Sequence, residues 1–177
     1  MAKNIKKSDL KKCIRDIPDF PKQGIIFKDI TTLLKDKDAF KKSVNLLAKQ
    51  FRNEKIDAIV GVEARGFIFG AALAYKLNTG FIPVRKKGKL PHKVRSVEYQ
   101  LEYGTDILEM HEDALTPKMR VLIVDDLLAT GGTIKAVAEL VKQQKAIIAG
   151  IAFLVELKFL KGKEKLKDLP IYSVIKY

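Results

Sequence analysis

A chain of 177 residues, 47% of them hydrophobic, is long enough for one compact domain and too apolar to be disordered throughout. No apolar run approaches the roughly 18–20 residues that span a bilayer, and the start MAKNIKKSDLKKC leads into no apolar stretch of a secretory signal. Lys and Arg outnumber Asp and Glu by 34 to 21, a net charge of +13 that favours an anionic partner; the excess is mostly lysine, without an arginine-rich helix carrying interleaved aromatics, which disfavours nucleic acid.

In chain order, residues 4–16 read as a short amphipathic helix, with Ile5, Leu10, Cys13, Ile14 and Ile17 near one face and Pro18 and Pro21 stopping it. Cys13 is the only cysteine, which excludes an internal disulfide and fits a free thiol in a reducing cytoplasm. Residues Asp19–Thr32 read as a loop. Asp38 then precedes a helix with Phe40, Val44, Leu47 and Phe51 at helical spacing. Ile56–Val60 begins a buried strand, Arg65–Leu77 is a helix rich in small residues closed by Asn78–Gly80, and Phe81–Val84 is a second strand.

The stretch Arg85–Arg95, RKKGKLPHKVR, contains Gly88, Pro91 and no acid; it is expected to be a mobile loop. Tyr99–Tyr103 and Ile107–Glu112 read as strands around a turn at Gly104–Thr105, and Thr116–Lys118 as another turn. Arg120–Asp125 is a buried strand, Thr133–Gln144 a helix with Ile134, Val137, Ala138 and Val141 inward, and Ala146–Val155 and Ile171–Ile175 are further strands. Strands apolar on both faces, alternating with helices, predict an α/β fold with a mainly parallel twisted sheet flanked by helices. Ligands of such sheets sit at the carboxyl ends of the strands, where the strand order switches.

The informative segment is VLIVDDLLATGGT, Val121–Thr133. A buried strand ends in two acids, Asp125 and Asp126, and Ala129, Thr130, Gly131, Gly132 and Thr133 lead into a helix. Glycines let backbone approach a ligand, and N–H groups at a helix start favour an anion. No lysine follows Gly132, as a P-loop needs, and there is no GxGxxG fingerprint. Carboxylates repel phosphate, so Asp125 and Asp126 should face something else, and vicinal ribose hydroxyls are good donors to them. A phosphate beside a sugar diol is a 5-phosphoribosyl group. His92 and His111 have no metal-ligand companions in the sequence.

This segment closely resembles the phosphoribosyl-diphosphate motif of type I phosphoribosyltransferases, in the wording of the adenine-using members. DFPKQGIIFKDIT, EARGFIFG, RKKGKLP, YQLEYGTD and VELKFLKGKEKL agree with the family in order and spacing over nearly the whole chain. The resemblance implies transfer of the 5-phosphoribosyl group from phosphoribosyl diphosphate to adenine, giving AMP and pyrophosphate. It implies one phosphoribosyltransferase domain, with a small N-terminal hood of about residues 1–35 on the adenine side and a core of 36–177. It also implies a cytoplasmic homodimer with no membrane partner. Mg²⁺ would ride on the diphosphate and ribose hydroxyls, with no direct protein ligand.

The resemblance assigns residues as well. Arg65 would clamp the diphosphate and act in catalysis, in a loop whose Glu63–Ala64 peptide would be cis. Arg85 and Lys89 would face the diphosphate, Lys89 partly from a neighbouring subunit. Glu102, with Tyr103, would sit in a lid and act as the second catalytic residue. Ile26, Phe27 and Lys28 would hold adenine through backbone and apolar contacts; many members carry arginine at the position of Lys28, and lysine neither stacks nor forks like arginine. Two other readings stand beside this one: a phosphoribosyltransferase for another purine base, and a phosphoribosyl-diphosphate-sensing regulator that binds DNA. The regulator needs an added DNA-binding module, for which little chain is expected ahead of Ile56.

Overall fold

A computed structural model describes residues 6–100 and 104–177. The chain divides into two compact units between Leu46 and Leu47.

The first unit is built on short elements. A 3₁₀-helix, Lys7–Cys13, buries Leu10 and stands where a longer amphipathic helix is expected. The chain then turns extended as β1, Arg15–Ile17, and pairs antiparallel with β2, Phe27–Asp29. The expected helix stops early because Ile17 precedes Pro18, which disfavours helical backbone, and because β-branched Ile14 and Ile17 favour the extended form. The expected loop Asp19–Thr32 therefore contains a strand, and its end enters a short helix α1, Thr31–Lys35. Asp29 joins these pieces. It accepts hydrogen bonds from Arg15 Nη2 at 2.6 Å, the Thr31 N–H at 2.9 Å and the Thr31 hydroxyl at 2.8 Å. Those bonds hold its carboxyl down at a pKa of about 2.

Helix α2, Lys37–Phe51, bridges the division of the chain. Its cap is Asp36, whose Oδ1 accepts the N–H groups of Asp38 at 2.9 Å and Ala39 at 3.0 Å. Asp38 is thus inside the helix, not ahead of it.

Among the described residues, the second unit has a seven-stranded sheet in the order β5-β6-β4-β3-β7-β8-β9. The strands are β3 Ala58–Val62, β4 Gly80–Lys86, β5 Val94–Gln100, β6 Thr105–His111, β7 Arg120–Leu128, β8 Ile147–Glu156 and β9 Ile171–Lys176. β3 pairs parallel with β4 on one side and β7 on the other, and β7, β8 and β9 continue in parallel. β6 runs antiparallel to both β4 and β5. Helix α3, Gly66–Leu77, packs on β3, β4 and β7, and α4, Gly132–Gln143, packs on β5, β6 and β8.

The core follows from sequence. Val121–Val124 of β7 are fully buried, and α4 turns Ile134, Val137, Ala138 and Val141 inward as its spacing predicts, with Ala136 and Leu140 buried too. Phe81 of β4 occupies space left by two glycines. A Cβ on Gly61 would collide with its ring, and one on Gly70 would stand 2.7 Å from Cε2. The same ring meets Phe67 edge-on at 5.6 Å between centroids.

The basic stretch is less loop-like than expected. β4 runs through Lys86 and β5 begins at Val94, so only residues 87–93 connect them. Arg85 and Lys86 pair with Glu109 and Leu108 of β6, and β5 is an edge strand whose charged side chains face solvent, so their charge costs little there. Within the connection, Glu109 accepts the Gly88 N–H at 2.8 Å.

Candidate active site

β3 lies between β4 and β7, so the chain leaves β3 toward one side and later returns to the other. The carboxyl ends of β3 and β7 therefore flank the switch in strand order, where an α/β sheet opens a crevice. Arg65 follows β3, and Asp125–Thr133 close β7 and open α4.

The β7 loop has the features of an anion cradle. Gly131 caps α4 with φ +81°, a left-handed conformation that suits glycine, and no side chain caps the helix start. The first N–H groups of α4 are thus left for a ligand. Asp125, Leu127 and the run Leu128–Ile134 line a recess of about 70 Å³. The hydroxyl of Thr133 is in hydrogen-bond contact with Tyr99 of β5, whose phenol is pushed up by burial.

Asp125 is half-buried and Asp126 is buried. Burial pushes the Asp125 carboxyl well above the ordinary carboxylate range, and the charge of Asp126 adds to the rise. Burial also raises Asp126, against the pull of Arg65. Arg65 Nε lies 3.0 Å from Asp126 Oδ2. That oxygen accepts no hydrogen bond of good geometry, which leaves acceptor capacity buried at the switch point.

The loop after β3 is held by a second ion pair. Glu63–Ala64 is a cis peptide, as the family resemblance implies. Glu63 accepts from Arg85 Nη2 at 2.8 Å, Arg85 Nε at 3.3 Å and the Lys86 N–H at 3.0 Å. The Arg85 hydrogen bond holds the Glu63 carboxyl below its usual range, with the Lys89 ammonium as a weaker contributor. Arg85 Nη1 also donates to the Lys89 carbonyl at 2.9 Å. Arg65, Asp125, Asp126 and Ala129–Thr133 are thus gathered at one end of the sheet, while Arg85 and Lys89 meet around Glu63.

Ile26, Phe27 and Lys28 belong to the first unit. Ile26 is exposed, Phe27 lies edge-on to Phe20 at 5.2 Å, and Lys28 Nζ is 2.7 Å from Asp16 Oδ1. Glu102 and Tyr103 lie outside the described residues. Among the described residues, no group of three or more His, Cys, Asp or Glu side chains is placed to hold a metal ion.

Sequence reasoning missed Gly66. A Cβ there would stand 2.8 Å from Asp125 Oδ1 and 2.9 Å from the Val124 carbonyl, so only glycine lets α3 start this close to β7. The glycine directly after Arg65 in EARGF was the available signal. Glu63 was read only through its peptide bond, and its ion pair with Arg85 depends on two neighbouring strands.

Comparison with known proteins places this geometry in a family. A sequence model described as a phosphoribosyl transferase domain matches residues 31–176. An adenine phosphoribosyltransferase of Syntrophotalea carbinolica is 62% identical over 169 residues, covering 96% of this chain and 99% of the relative. The crystal structure of adenine phosphoribosyltransferase from Thermoanaerobacter pseudethanolicus superposes with a TM-score of 0.95 at 56% identity, covering 97% of this chain and 100% of that one. That of Saccharomyces cerevisiae, complexed with an imino-altritol bisphosphate and adenine, gives 0.90 at 41% identity over 95% of this chain and 97% of that one. With this likeness running along nearly the whole chain, the protein belongs to the phosphoribosyltransferase family, among its adenine phosphoribosyltransferases.

Proposed function

We propose that this protein transfers the 5-phosphoribosyl group from phosphoribosyl diphosphate to adenine, giving AMP and pyrophosphate in purine salvage. One observation carries the mechanism: an arginine after β3 and an uncapped, glycine-opened helix after β7 flank the same switch point, with two carboxylates between them. The helix start suits a 5′-phosphate, and the carboxylates suit the ribose hydroxyls. The base assignment rests on the names of relatives at high identity over nearly full length.

In this reading Ala129, Thr130, Gly131, Gly132 and Thr133 bind the 5′-phosphate, and Asp125 and Asp126 accept hydrogen bonds from the ribose diol. Arg65 stabilises charge that develops on the diphosphate as the anomeric bond breaks, with Arg85 and Lys89 adding positive charge on that side. Ile26, Phe27 and Lys28 contact adenine. Glu102 enters on family resemblance alone, as the carboxylate that handles the purine proton or supports the charge-deficient ribose.

Mg²⁺ accompanies phosphoribosyl diphosphate. The donors present are two adjacent carboxylates, one of them paired with Arg65, and they fit an ion reached through substrate oxygens and water better than a cage of side chains. When bound, the ion supplies positive charge to the pyrophosphate leaving group. The reading extends to a cytoplasmic homodimer, for which sedimentation of the purified protein is the check. No described helix is long and apolar enough to cross a membrane.

The test is a spectrophotometric assay of AMP formation from adenine, phosphoribosyl diphosphate and Mg²⁺. Turnover on hypoxanthine, guanine or xanthine without turnover on adenine overturns the base assignment. A gel shift with duplex DNA at physiological salt, in a protein that shows no turnover on any base, would favour the regulator instead.

A further inference from the structure

The β7 loop does not hold its shape unaided. Gly131 and Gly162, far apart in sequence, meet backbone to backbone. A Cβ on Gly131 would stand 2.5 Å from the Gly162 carbonyl oxygen. Conversely, a Cβ on Gly162 would collide with the Ala129 carbonyl oxygen and come within 3.0 Å of Leu128 Cδ1. No side chain larger than hydrogen fits on either partner without moving main chain, and main chain yields less readily than a flexible side chain.

Gly162 opens the 3₁₀ turn Gly162–Leu166, which follows β8. That turn is fixed independently of the loop. Leu166 is buried in the core. The Glu164 N–H donates to the Lys161 carbonyl at 2.9 Å, and Lys161 itself sits at φ +52°. Lys163 Nζ lies 3.1 Å from Oε2 of Glu156, a buried carboxylate near the end of β8. Just beyond that end, the Leu157 N–H donates to the Leu128 carbonyl at 3.0 Å, tying the turn's origin to β7.

We propose that Gly162 is a positioning residue for phosphoribosyl-diphosphate binding: its absent side chain lets the turn 161–166 brace Ala129–Gly131 and so fixes where the loop's N–H groups point. This rests on the reading that residues 129–133 hold the 5′-phosphate. A methyl group at Gly162 shifts the loop or the turn, and displacements near 1 Å in a binding loop can cost about 10²-fold in rate.

Steady-state kinetics of the purified full chain, varying each substrate at saturation of the other, test the proposal alongside thermal midpoints. Gly162→Ala is expected to raise KM for phosphoribosyl diphosphate by about 10- to 100-fold and to leave KM for adenine within about twofold. Gly150→Ala is the matched control: its Cβ would stand 2.6 Å from Phe51 Cε1, in the core rather than at the loop, so it lowers the midpoint without moving either KM. A Gly162→Ala enzyme that loses stability as Gly150→Ala does, with KM for phosphoribosyl diphosphate unchanged, overturns the proposal.

Thr130→Val separates the brace from the phosphate-binding role of the loop. If it raises that KM while Gly162→Ala does not, the brace fails and the phosphate reading stands. If neither variant moves it, both fail. Should Gly162→Ala not fold, Lys163→Met carries the test, because it releases the turn from Glu156. A rise in KM for phosphoribosyl diphosphate that Lys163→Arg reverses supports the brace, and an unchanged KM overturns it.

Discussion

Arg65 Nε sits 3.0 Å from Asp126 Oδ2, linking the loop after β3 to the end of β7. In the proposed function the two residues serve opposite partners, the arginine an anion and the aspartate hydroxyl donors. Pairing them leaves neither charge isolated beside the buried strand end. Arg65→Lys keeps the charge but loses the planar fork. Its kcat/KM for phosphoribosyl diphosphate is expected to fall about 10²-fold, read by steady-state kinetics. An unchanged kcat/KM would remove Arg65 from the diphosphate site.

Asp125 is held where its charge is costly. Burial and the neighbouring Asp126 raise its pKa, so the folded chain binds a proton there more readily than the unfolded chain does. Stability from this group therefore increases as pH falls through the raised value and levels off below the unfolded value. Asp125→Asn imitates the neutral form and keeps an oxygen for the Asp126 N–H, which Asp125 Oδ1 now accepts at 2.8 Å. The variant is expected to melt higher at pH 7 and to bind phosphoribosyl diphosphate more weakly, a trade of affinity for stability. Calorimetric titration and thermal melts check both halves, and unchanged affinity would contradict the ribose role.

Asp29 has the opposite linkage. Its folded pKa of about 2 lies below the unfolded value of about 3.9, so the stability it contributes is present above pH 4 and is lost as pH falls toward 2. Asp29→Asn keeps the shape but loses the charge that faces Arg15. It is expected to cost about 2 kcal/mol at pH 7, with the gap to wild type closing between about pH 4 and pH 2. Urea unfolding across that range, followed on the first unit, measures it.

Lys28 commits its ammonium to Asp16 at 2.7 Å. A base held through the backbone at this position does not need that side chain. Lys28→Ala is expected to change KM for adenine by less than about threefold, as befits loss of one ion pair with an exposed partner. A tenfold change would mean that the ammonium itself reads the base.

The parts of the site readable in sequence are those set by local chemistry. The run Val121–Val124 has only one place to go, and the residues after it announce a turn into a helix. The acids are informative because carboxylate and phosphate repel. The remainder depends on approach between distant segments. Gly66 and Gly162 look like ordinary glycines until β7 and its loop come near them. β1 and β2 are three residues each, too short for alternation to register, and the contact that joins them, Arg15 to Asp29, links residues 14 apart in the chain. The start of edge strand β5, Val94 and Arg95, is hidden in the charged stretch because charges on an edge face water, while its end at Tyr99 and Gln100 falls in an expected strand. The Arg85–Glu63 pair joins β4 to the loop after the parallel strand β3, which no spacing along the chain reveals.

Phe81 carries a constraint on descent. Its ring fills the room left vacant by both Gly61 and Gly70. Neither glycine can gain a methyl group while the phenyl ring keeps its place, so the ring must turn aside or residue 81 must shrink, at the loss of its edge-on contact with Phe67. Two glycines, one on a strand and one on a helix, are thus held by a single ring on a neighbouring strand. A branch of this lineage that carries a side chain at position 61 or 70 should be found to have changed residue 81 as well.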